Sequence, residues 1–507
     1  MKAKTKKTQK KPAARKLTGK VHMPATATGL TSQAGLIPVV KFLQRIGFEK
    51  IVNQTVPHQR GDNADYQLTD GIFLTLVGMI GGAGSIAKLC GVWSDGVLRK
   101  IAGWTKVPVD TTIGRLFKEV TEKQISQFES LTHRLRGKIW RMANRAGVSK
   151  VGRNRVQWVD IDSTVDSVCG TQEGAAKGYN PKKKGALSYH PQLAFLAGSK
   201  EILQAWFRTG SAYTSNGVVE FVKQLLAHLP NRMRIIYFAR PHLRFSGALF
   251  CPIAALRKQL HSLAMRLFSC LAIEQNSLAI KAVNMTARSM VRADSGYFGG
   301  ALLDLLDAYG HGYLIKVKLK NLVALLTQQQ WISIAGQPDW EQCAFDYRCG
   351  EWKVARRFVA VRQRLPKEES AQRDLLETTK YDYFCYVTTE ALTPWQTHKK
   401  YGERATCETW IEESKGQMSM GKIRTASFLA NAALFHSAVL AYNSLRWMAI
   451  MSGSQTLTQW EPETIRTYLI RVAGKLVTGN RPLTVKTPDN HLYPQVWDDW
   501  VAVGLGS

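Results

Sequence analysis

The amino-acid sequence predicts an α/β fold, because stretches with different hydrophobic periods follow one another along the chain. Residues 30–150 carry apolar side chains at intervals of three and four, which is typical of helices. Residues 153–325 alternate β-branched runs with helical runs, and residues 331–389 are rich in strand-forming residues before helices return. At 507 residues the chain is longer than one core usually serves, so we expect several domains.

The composition predicts a polyanionic partner. The chain carries 69 Lys and Arg against 38 Asp and Glu, a formal net charge of +31. Such an excess favours nucleic acid, because binding to phosphates releases condensed counterions. The most apolar window, residues 71–84, is too short to span a bilayer and predicts a buried helix instead. The eight Cys show no zinc-ligand spacing, which fits free thiols in a reducing cytoplasm.

The first 150 residues divide into two predicted parts. Residues 1–25 are basic and lack a hydrophobic period, so we expect a disordered tail. Residues 26–150 predict a helical DNA-binding domain, with Asp110 at one helix start, although a bundle without that role fits the same pattern. Its predicted helices include residues 36–48, 70–79 and 112–131.

The first strand of the next region carries two carboxylates. Over residues 156–168, an extended chain places Asp160 and Asp162 on one face and Val159 and Ile161 on the other. A turn with a basic tip follows, at Lys182, Lys183 and Lys184. The next predicted elements are strands 192–197 and 203–208, helix 215–229, strand 233–238, helical stretch 253–273, strand 289–293, helix 301–309 and strand 313–318.

The remainder predicts an insertion and a final helical part. Residues 326–395 predict a separate β-rich sheet, inserted before residues 396–450. Residues 427–447 are apolar enough for a buried helix, and residues 451–507 form a mixed C-terminal region.

Residues 401–415 predict one helix with its chemistry on one side. At about 100° of rotation per residue, Tyr401, Arg404, Glu408 and Lys415 fall on a single face. A carboxylate is thus flanked by cations. A solvated face with ion pairs is the simplest interpretation, and a functional site is the other.

Three carboxylates far apart in the sequence, Asp162, Asp294 and Glu408, form a site only if the fold brings them together. Such a site has oxygen ligands alone, which suits Mg²⁺ or Mn²⁺. Two such ions can activate a water or a 3′-hydroxyl and stabilise the oxygen that leaves a phosphodiester. Arg404 and Lys415 would then bind phosphates beside the metal site.

Fixed spacings point to a known family. Tyr401, Arg404, Glu408 and Lys415 match a Tyr-x2-Arg-x3-Glu-x6-Lys signature at every gap. The accompanying motifs are Asp160-Ile-Asp-Ser-Thr164, Gly170-Thr-Gln-Glu-Gly-Ala175, Gly178-Tyr-Asn-Pro181, Ser188-Tyr-His-Pro191, Arg292-Ala-Asp-Ser-Gly296 and Leu440-Ala-Tyr-Asn443. With them the chain resembles the DDE-type transposases of bacterial insertion sequences over roughly residues 30–450.

The resemblance implies a ribonuclease-H-like catalytic core in two parts, residues 151–325 and 396–450. It implies that the metal ligands are Asp162, Asp294 and Glu408. It also implies contacts to the DNA backbone by Tyr401, Arg404 and Lys415. Relatives carry a β domain before the Glu, where an aromatic can stabilise a flipped base, and the candidates here are Trp352 and Trp340.

Several alternatives stay open. Asp160 competes with Asp162 on the same strand face, and Glu412 lies one turn from Glu408. Glu173 and His190 are interpreted as packing or hydrogen-bonding residues. Residues 239–288 form an extra helical segment, which either sits in a tolerant surface loop or displaces Asp294.

We therefore predict a transposase, an endonuclease that binds the terminal inverted repeats of its element, cuts the DNA and joins the 3′ ends to a target with Mg²⁺ or Mn²⁺. Its partner would be double-stranded DNA, without a membrane, with a homodimer when two ends are synapsed. The expected location is the bacterial cytoplasm, at the nucleoid when DNA is bound. The alternatives are a catalytically inactive DNA-binding descendant and a ribonuclease-H-like nuclease that cuts without joining.

Overall fold

The computed structural model describes residues 21–61, 63–148, 157–181, 183–229, 289–350, 352–365, 381–422, 425–477, 479 and 483–506. Most of the predicted basic tail, Lys182, strand 233–238 and the extra segment 239–288 lie outside the described residues.

The N-terminal region is helical, as its hydrophobic period predicts. It contains β1 (Leu30–Thr31), α1 (Leu36–Arg45), α2 (Phe48–Thr55), α3 (Leu68–Ile80), α4 (Ile86–Trp93), α5 (Gly96–Ala102), α6 (Asp110–Lys118) and α7 (Glu122–Arg145). The predicted helix over 112–131 is two helices, because Thr121 and Gln124 form a capping box that starts α7. The apolar window 71–84 lies mostly in the buried helix α3, as predicted.

The central region alternates strands and helices. It contains β2 (Gln157–Ser163), β3 (Asp166–Ser167), β4 (Ala176–Lys177), β5 (Leu187–Tyr189), β6 (Gln192–Leu196), β7 (Glu201–Trp206), α8 (Val218–His228), β8 (Ser289–Ala293), α9 (Gly300–Ala308), β9 (Gly312–Lys316) and α10 (Leu322–Thr327). It continues with β10 (Ile332–Ile334), β11 (Gln337–Tyr347), β12 (Arg356–Arg364) and β13 (Tyr381–Thr388).

The C-terminal region returns to helices. It contains α11 (Pro394–Gly402), α12 (Ala405–Glu412), a π-helical turn (Glu413–Gln417), α13 (Phe428–Ser452), α14 (Gln455–Gln459), α15 (Pro462–Ile465), β14 (Gly474–Val477), β15 (Thr484–Lys486) and α16 (Pro494–Leu505). Helix α13 is buried along nearly its whole length, as the sequence predicts.

One nine-stranded sheet organises the described residues, in the order β10-β11-β12-β13-β9-β8-β2-β6-β7. Strands β9, β8 and β2 are parallel to one another, whereas β6 and β7 continue the sheet antiparallel. Helices α8 and α9 lie against this five-stranded part through the apolar cluster that contains Val159 and Ile161. The architecture is the mixed α/β, ribonuclease-H-like core that we predicted.

The prediction of a separate inserted sheet is wrong. Strand β13 pairs antiparallel with β9, from Tyr386 opposite Lys316 to Thr388 opposite Leu314. The strands β10 to β13 therefore extend the sheet that contains β2 and β8 instead of forming a second one. The physical reason is that the outer edge of β9 offers unpaired backbone groups, which the next strand of the chain satisfies.

The N-terminal helices share their core with the C-terminal region, in contrast to the separate domain predicted over residues 26–150. Helix α13 packs between α3 and α7, and β1 pairs with β14. The Trp500 indole donates a hydrogen bond to the Gly35 carbonyl oxygen at 3.1 Å. One apolar cluster runs through all these elements and reaches Leu193 and Phe195 of the sheet. The two chain ends therefore cover one face of the sheet together.

The prediction of a single helix over residues 401–415 is also wrong. Helix α11 ends at Gly402, Glu403 and Arg404 form a turn, and α12 begins at Ala405. A π-helical turn then follows, which places Lys415 outside the regular period of α12. The break has a cause in the side chains, because Arg404 turns inward to bind Asp162.

Candidate active site

Asp162 and Asp294 lie side by side at the same edge of the sheet. In the parallel pair of β2 and β8, Ile161 is opposite Ala293, so the next residue of each strand is an aspartate. The extra segment that precedes β8 in the sequence therefore does not separate the two carboxylates. Burial raises the pKa of Asp162 to about 6, the Arg404 charge lowers this pKa, and the charges of Asp294 and Glu408 raise it.

A buried ion pair joins the two strands one step before these carboxylates. Arg292 donates to both oxygens of Asp160, from Nε at 2.6 Å and from Nη2 at 2.8 Å, and both side chains are buried. The pair answers the open question between Asp160 and Asp162. Because both oxygens of Asp160 are bound by Arg292, Asp160 has a structural role. It fixes the register that places Asp162 beside Asp294.

The loop after Asp294 is held tightly against the end of β2. The Gly296 amide donates to Asp294 Oδ1 at 2.9 Å. A Cβ at Gly296 would lie 2.9 Å from Thr214 Cγ2, so a larger residue would have to push the Thr214 side chain away. The hydroxyls of Thr214 and Ser163 are 3.0 Å apart. Loops after two different strands thus meet behind the aspartate pair.

His190 joins the end of β2 to the loop that carries Thr214 by hydrogen bonds, as the hydrogen-bonding role assigned to it predicts. The buried ring lies 3.1 Å from Ser163 Oγ through Nε2 and 2.5 Å from the Ala212 carbonyl oxygen through Nδ1. Burial is the main cause that lowers the pKa of His190. Tyr297 is also buried beside the site, and its pKa lies well above the usual value because of burial and the charges of Asp162 and Asp294.

Arg404 and Glu408 face the aspartates in different ways. Arg404 is buried, and its Nη2 lies 2.7 Å from Asp162 Oδ2. The Glu408 side chain is 68% exposed, and its Oε1 is 3.6 Å from Arg404 Nη1. Glu408, and not Glu412, acts on the pKa of Asp162. The guanidinium therefore lies between the two carboxylates that the sequence assigns to one metal site.

Tyr401 lies in the wall of the same site. Its ring packs on the Tyr386 ring at 4.6 Å. The pKa of Tyr401 is raised to about 12, first by burial and then by the charges of Asp294, Asp162 and Glu408, with Arg404 acting in the opposite direction. This hydroxyl is therefore protonated at neutral pH.

Lys415 has an internal partner. Its Nζ lies 2.8 Å from Asp166 Oδ1, and it donates to Thr164 Oγ1 and to the Val165 carbonyl oxygen, each at 2.8 Å. Asp166 is almost fully buried. The lysine thus fastens the π-helical turn to the segment just beyond Asp162. Lys415 therefore forms a structural ion pair, and its contact to a phosphate stays a prediction.

The tryptophans predicted to meet a base are packed against protein. Trp352 lies 5.5 Å from Phe298 between ring centroids and carries the Arg356 guanidinium 4.7 Å above its ring. Trp340 packs on Trp395 at 5.0 Å. The contacts of both rings are therefore internal, which corrects the expectation that either projects towards DNA.

The basic turn carries exposed lysines, and Glu173 lies at the start of α13. Lys183 and Lys184 are exposed, as predicted. Glu173 accepts a hydrogen bond from the Phe428 amide at 3.0 Å, which confirms the hydrogen-bonding role assigned to it. It thereby satisfies a free amide at the start of α13.

The donor set at the aspartate pair fits a hard divalent cation in part. Asp162 and Asp294 supply oxygens only, and their mutual repulsion is the kind of strain that a cation relieves. Within the described part of the chain, no three His, Cys, Asp or Glu side chains stand close enough together to hold a metal ion. Glu408 would complete the set only after Arg404 leaves Asp162.

Sequence reasoning found the aspartates but missed the residues that hold them. Arg292 belongs to the motif that contains Asp294, but the motif assigns no role to it. The sequence patterns assign no role to Ser163, Thr214 or Asp166 either. A signal for Arg292 exists in the sequence. Asp160 precedes Asp162 by two residues and Arg292 precedes Asp294 by two, so parallel pairing of these strands in register places the opposite charges together.

Solved structures resemble this chain only distantly. Six chains of solved structures match, among them a piggyBac transposase synaptic complex with hairpin DNA, solved by cryo-EM, at 10% identity and a TM-score of 0.35. That alignment covers 85% of this chain and 81% of the other, and its score is too low to support an inference here. A search of curated proteins finds no match.

The match to a protein family covers more of the chain than the structural alignment does. The model of the transposase DDE domain group 1 family covers residues 14–239 and 255–503, which includes Asp162, Asp294 and Glu408. It is interrupted only over residues 240–254, within the extra segment that the sequence predicts. Among the described residues, no helix is long and apolar enough to cross a membrane. With most of its length matched, the chain belongs to the transposase DDE domain group 1 family.

Proposed function

We propose that this transposase binds the terminal inverted repeats of its element, cuts the DNA there and joins the 3′ ends to a target. The observation that carries the proposal is the pairing of Asp162 and Asp294 on adjacent parallel strands, beside an arginine and within reach of the Glu408 charge. We further propose that it works as a dimer on two synapsed ends, at the nucleoid of a bacterial cytoplasm.

Asp162 and Asp294 would hold the Mg²⁺ or Mn²⁺ ion, with Glu408 as the third ligand. When bound, such an ion activates the attacking oxygen and stabilises the charge that develops on the phosphodiester. Asp162 must be ionised to act as a ligand, which its pKa of about 6 permits at neutral pH. The Asp160–Arg292 pair keeps the two carboxylates at one level of the sheet.

Arg404 would change partner during this reaction. A phosphate of the DNA end offers the guanidinium a bidentate partner equal in kind to the Asp162 carboxylate. Release of Asp162 leaves its oxygens free for the cation and brings Glu408 into the set. Tyr401 would donate a hydrogen bond to a phosphate oxygen, since its raised pKa keeps the hydroxyl protonated.

The test uses the purified chain, duplexes that end in the element's inverted repeat, and Mg²⁺. We expect nicking and strand transfer, and we expect Asp162→Asn, Asp294→Asn and Glu408→Gln each to abolish nicking while end binding persists. Glu412→Gln is the matched control, because Glu412 is an exposed carboxylate one turn further along and should be dispensable.

A second function, a DNA-binding protein without catalysis, is favoured by one observation. The three carboxylates do not form a group able to hold a metal ion among the described residues. End binding without nicking in either Mg²⁺ or Mn²⁺ would establish this function. Nicking without joining would instead indicate a nuclease.

A further inference from the structure

Two exposed tyrosines stand at the end of the sheet that carries the aspartates. Tyr179 and Tyr213 are each 60% exposed. Among the described residues, neither ring has an aromatic or cation–π partner, and neither hydroxyl is hydrogen-bonded. Single exposed aromatics are ordinary on protein surfaces. What sets these two apart is their location and the rigidity of their loops.

Tyr213 is held next to the site by its neighbours in the chain. The preceding Ala212 carbonyl oxygen is bound by His190, and the following Thr214 hydroxyl contacts Ser163, the residue after Asp162. The carbonyl oxygen of Tyr213 itself accepts a hydrogen bond from Arg208 Nη1 at 3.2 Å. The backbone is thus anchored on both sides while the ring projects into solvent.

The loop that carries Tyr179 is locked to the loop that carries Tyr213. A Cβ at Gly178 would collide with the Gly210 carbonyl oxygen, so the two backbones touch where only glycine fits. Buried Asn180 closes the Tyr179 loop, because it accepts a hydrogen bond from the Lys183 amide at 2.9 Å. The pairing of Trp206 with Gln192, opposite Ser163, places the start of the Tyr213 loop at the Asp162 end of the sheet.

Exposed lysines lie close to Tyr179 in the chain. Lys177 ends β4, Lys183 and Lys184 lie in the loop that follows it and carries Tyr179, and no salt bridge engages the three among the described residues. Exposed rings set in a cationic surface are the combination that binds unpaired nucleotides, because lysines hold the phosphates and each ring stacks on a base. We call the set Lys177, Tyr179, Lys183, Lys184 and Tyr213 the tyrosine–lysine face.

We propose that the tyrosine–lysine face binds unpaired nucleotides of the DNA end, with Tyr213 stacked on the base next to the cleaved phosphodiester. A base inside an uncut duplex has both faces covered by its neighbours, so a rigid ring beside the uncut phosphodiester can stack only on a base that has left the helix. This inference rests on the proposed function, since it requires DNA at Asp162 and Asp294.

The test compares binding of the full-length protein to two duplexes that carry the terminal repeat, one blunt and one with a short single-stranded 3′ tail. Loss of one stacked base corresponds to about a tenfold loss of affinity. We therefore expect Tyr213→Leu to lose about tenfold affinity for the tailed duplex alone, and Tyr213→Phe to keep the wild-type affinity. The tail also carries 5-iododeoxyuridine, which should cross-link under ultraviolet light to the peptide that contains residue 213 in wild type and Tyr213→Phe.

The matched control is Tyr309→Leu. Tyr309 is 51% exposed and follows α9, at the opposite end of the parallel strands, where Met290 is paired with Gly312. The Tyr309→Leu variant should bind both duplexes with the wild-type affinity. If wild type nicks the repeat in Mg²⁺ but Tyr213→Leu keeps full affinity for the tail, the stacking role is overturned and the proposed function stands. If wild type neither binds nor nicks the repeat, both are overturned.

Discussion

At the scale of single residues, the site is built from two matched pairs on neighbouring strands. Asp160 and Arg292 neutralise each other inside the protein, whereas Asp162 and Asp294 repel each other at its edge. The same two-residue step along each strand produces both pairs. The pair that stabilises the fold and the pair that would carry the chemistry are therefore separated by one two-residue repeat of each strand.

Burial raises the pKa of both Asp160 and Asp162, but only Asp160 has both oxygens bound by a buried arginine, so we expect removal of the two charges to act in opposite ways. Asp160→Asn takes from the buried Arg292 the carboxylate that binds it bidentately and leaves Glu403, 3.5 Å from its Nη1, as the remaining carboxylate partner. This loss should cost about 3–5 kcal/mol of unfolding free energy. Asp162→Asn removes a carboxylate whose folded pKa is raised to about 6. Such a group destabilises the fold above that pKa, and the cost disappears as pH falls below about 4, the pKa of an unfolded Asp.

We therefore expect Asp162→Asn to stabilise the protein at pH 8, by on the order of 2 kcal/mol, and to leave it unchanged at pH 4. Urea unfolding of both variants at the two pH values measures this. Equal losses of stability for both variants at pH 8 would contradict the roles assigned to the two residues.

At the scale of elements, the π-helical turn after α12 is the least predictable part of the site. The four-residue signature predicts a continuous helix with one charged stripe. Arg404 and Glu408 do lie next to each other as that interpretation requires, although a turn interrupts the helix at Arg404. The interpretation is wrong for Lys415, because the turn and the Asp166 carboxylate direct that lysine to the segment after β2. A search for side chains that repeat every 3.6 residues cannot detect a π-helical turn, because it assumes a regular α-helix from the start.

Lys415 should matter for stability before it matters for DNA. Lys415→Met leaves the buried Asp166 carboxylate without its cation, which should cost about 3 kcal/mol of unfolding free energy. Asp166→Asn in the same chain should recover much of that loss, because the unpaired charge is then gone. Urea unfolding of the two single variants and the double variant measures the coupling. Unchanged stability in Lys415→Met, with weaker DNA binding, would restore the phosphate role.

Some elements were predictable because their signals are local. The strand over 289–293 was predicted with the bounds observed, and alternation correctly placed Asp160 and Asp162 opposite Val159 and Ile161. The extension of the sheet by β10 to β13 was not predictable in this way. Strand patterns reveal which residues pair, but not which existing edge they join.

At the scale of the whole molecule, the two ends of the chain build one helical layer. Helix α13 is buried between helices from the first 150 residues, and β1 depends on β14 for its backbone partners. Long-range packing of this kind leaves no trace in hydrophobic period, which is why residues 26–150 look like an independent domain in the sequence.

A fragment of residues 26–148 should therefore not fold alone. The fragment lacks α13 and therefore exposes the apolar faces of α3 and α7. Burial of these faces is a main source of stability for the N-terminal helices in the full chain. Circular dichroism during thermal unfolding should show no cooperative transition for the fragment and a cooperative one for the full chain. A cooperative transition in the fragment would show that the N-terminal helices are a domain in their own right.

The central claim is that Asp162 and Asp294 jointly hold the divalent ion, and a change of ligand chemistry tests it most directly. Asp294→Cys replaces a hard oxygen by a soft thiolate, which binds Mg²⁺ poorly and softer divalent ions well. We predict that nicking of the terminal repeat by this variant is lost in Mg²⁺ and recovered in Mn²⁺ or Cd²⁺, whereas Asp294→Ala is recovered by neither. Wild-type nicking rates in Mg²⁺ for Asp294→Cys, or equal recovery of Asp294→Ala, would contradict the account.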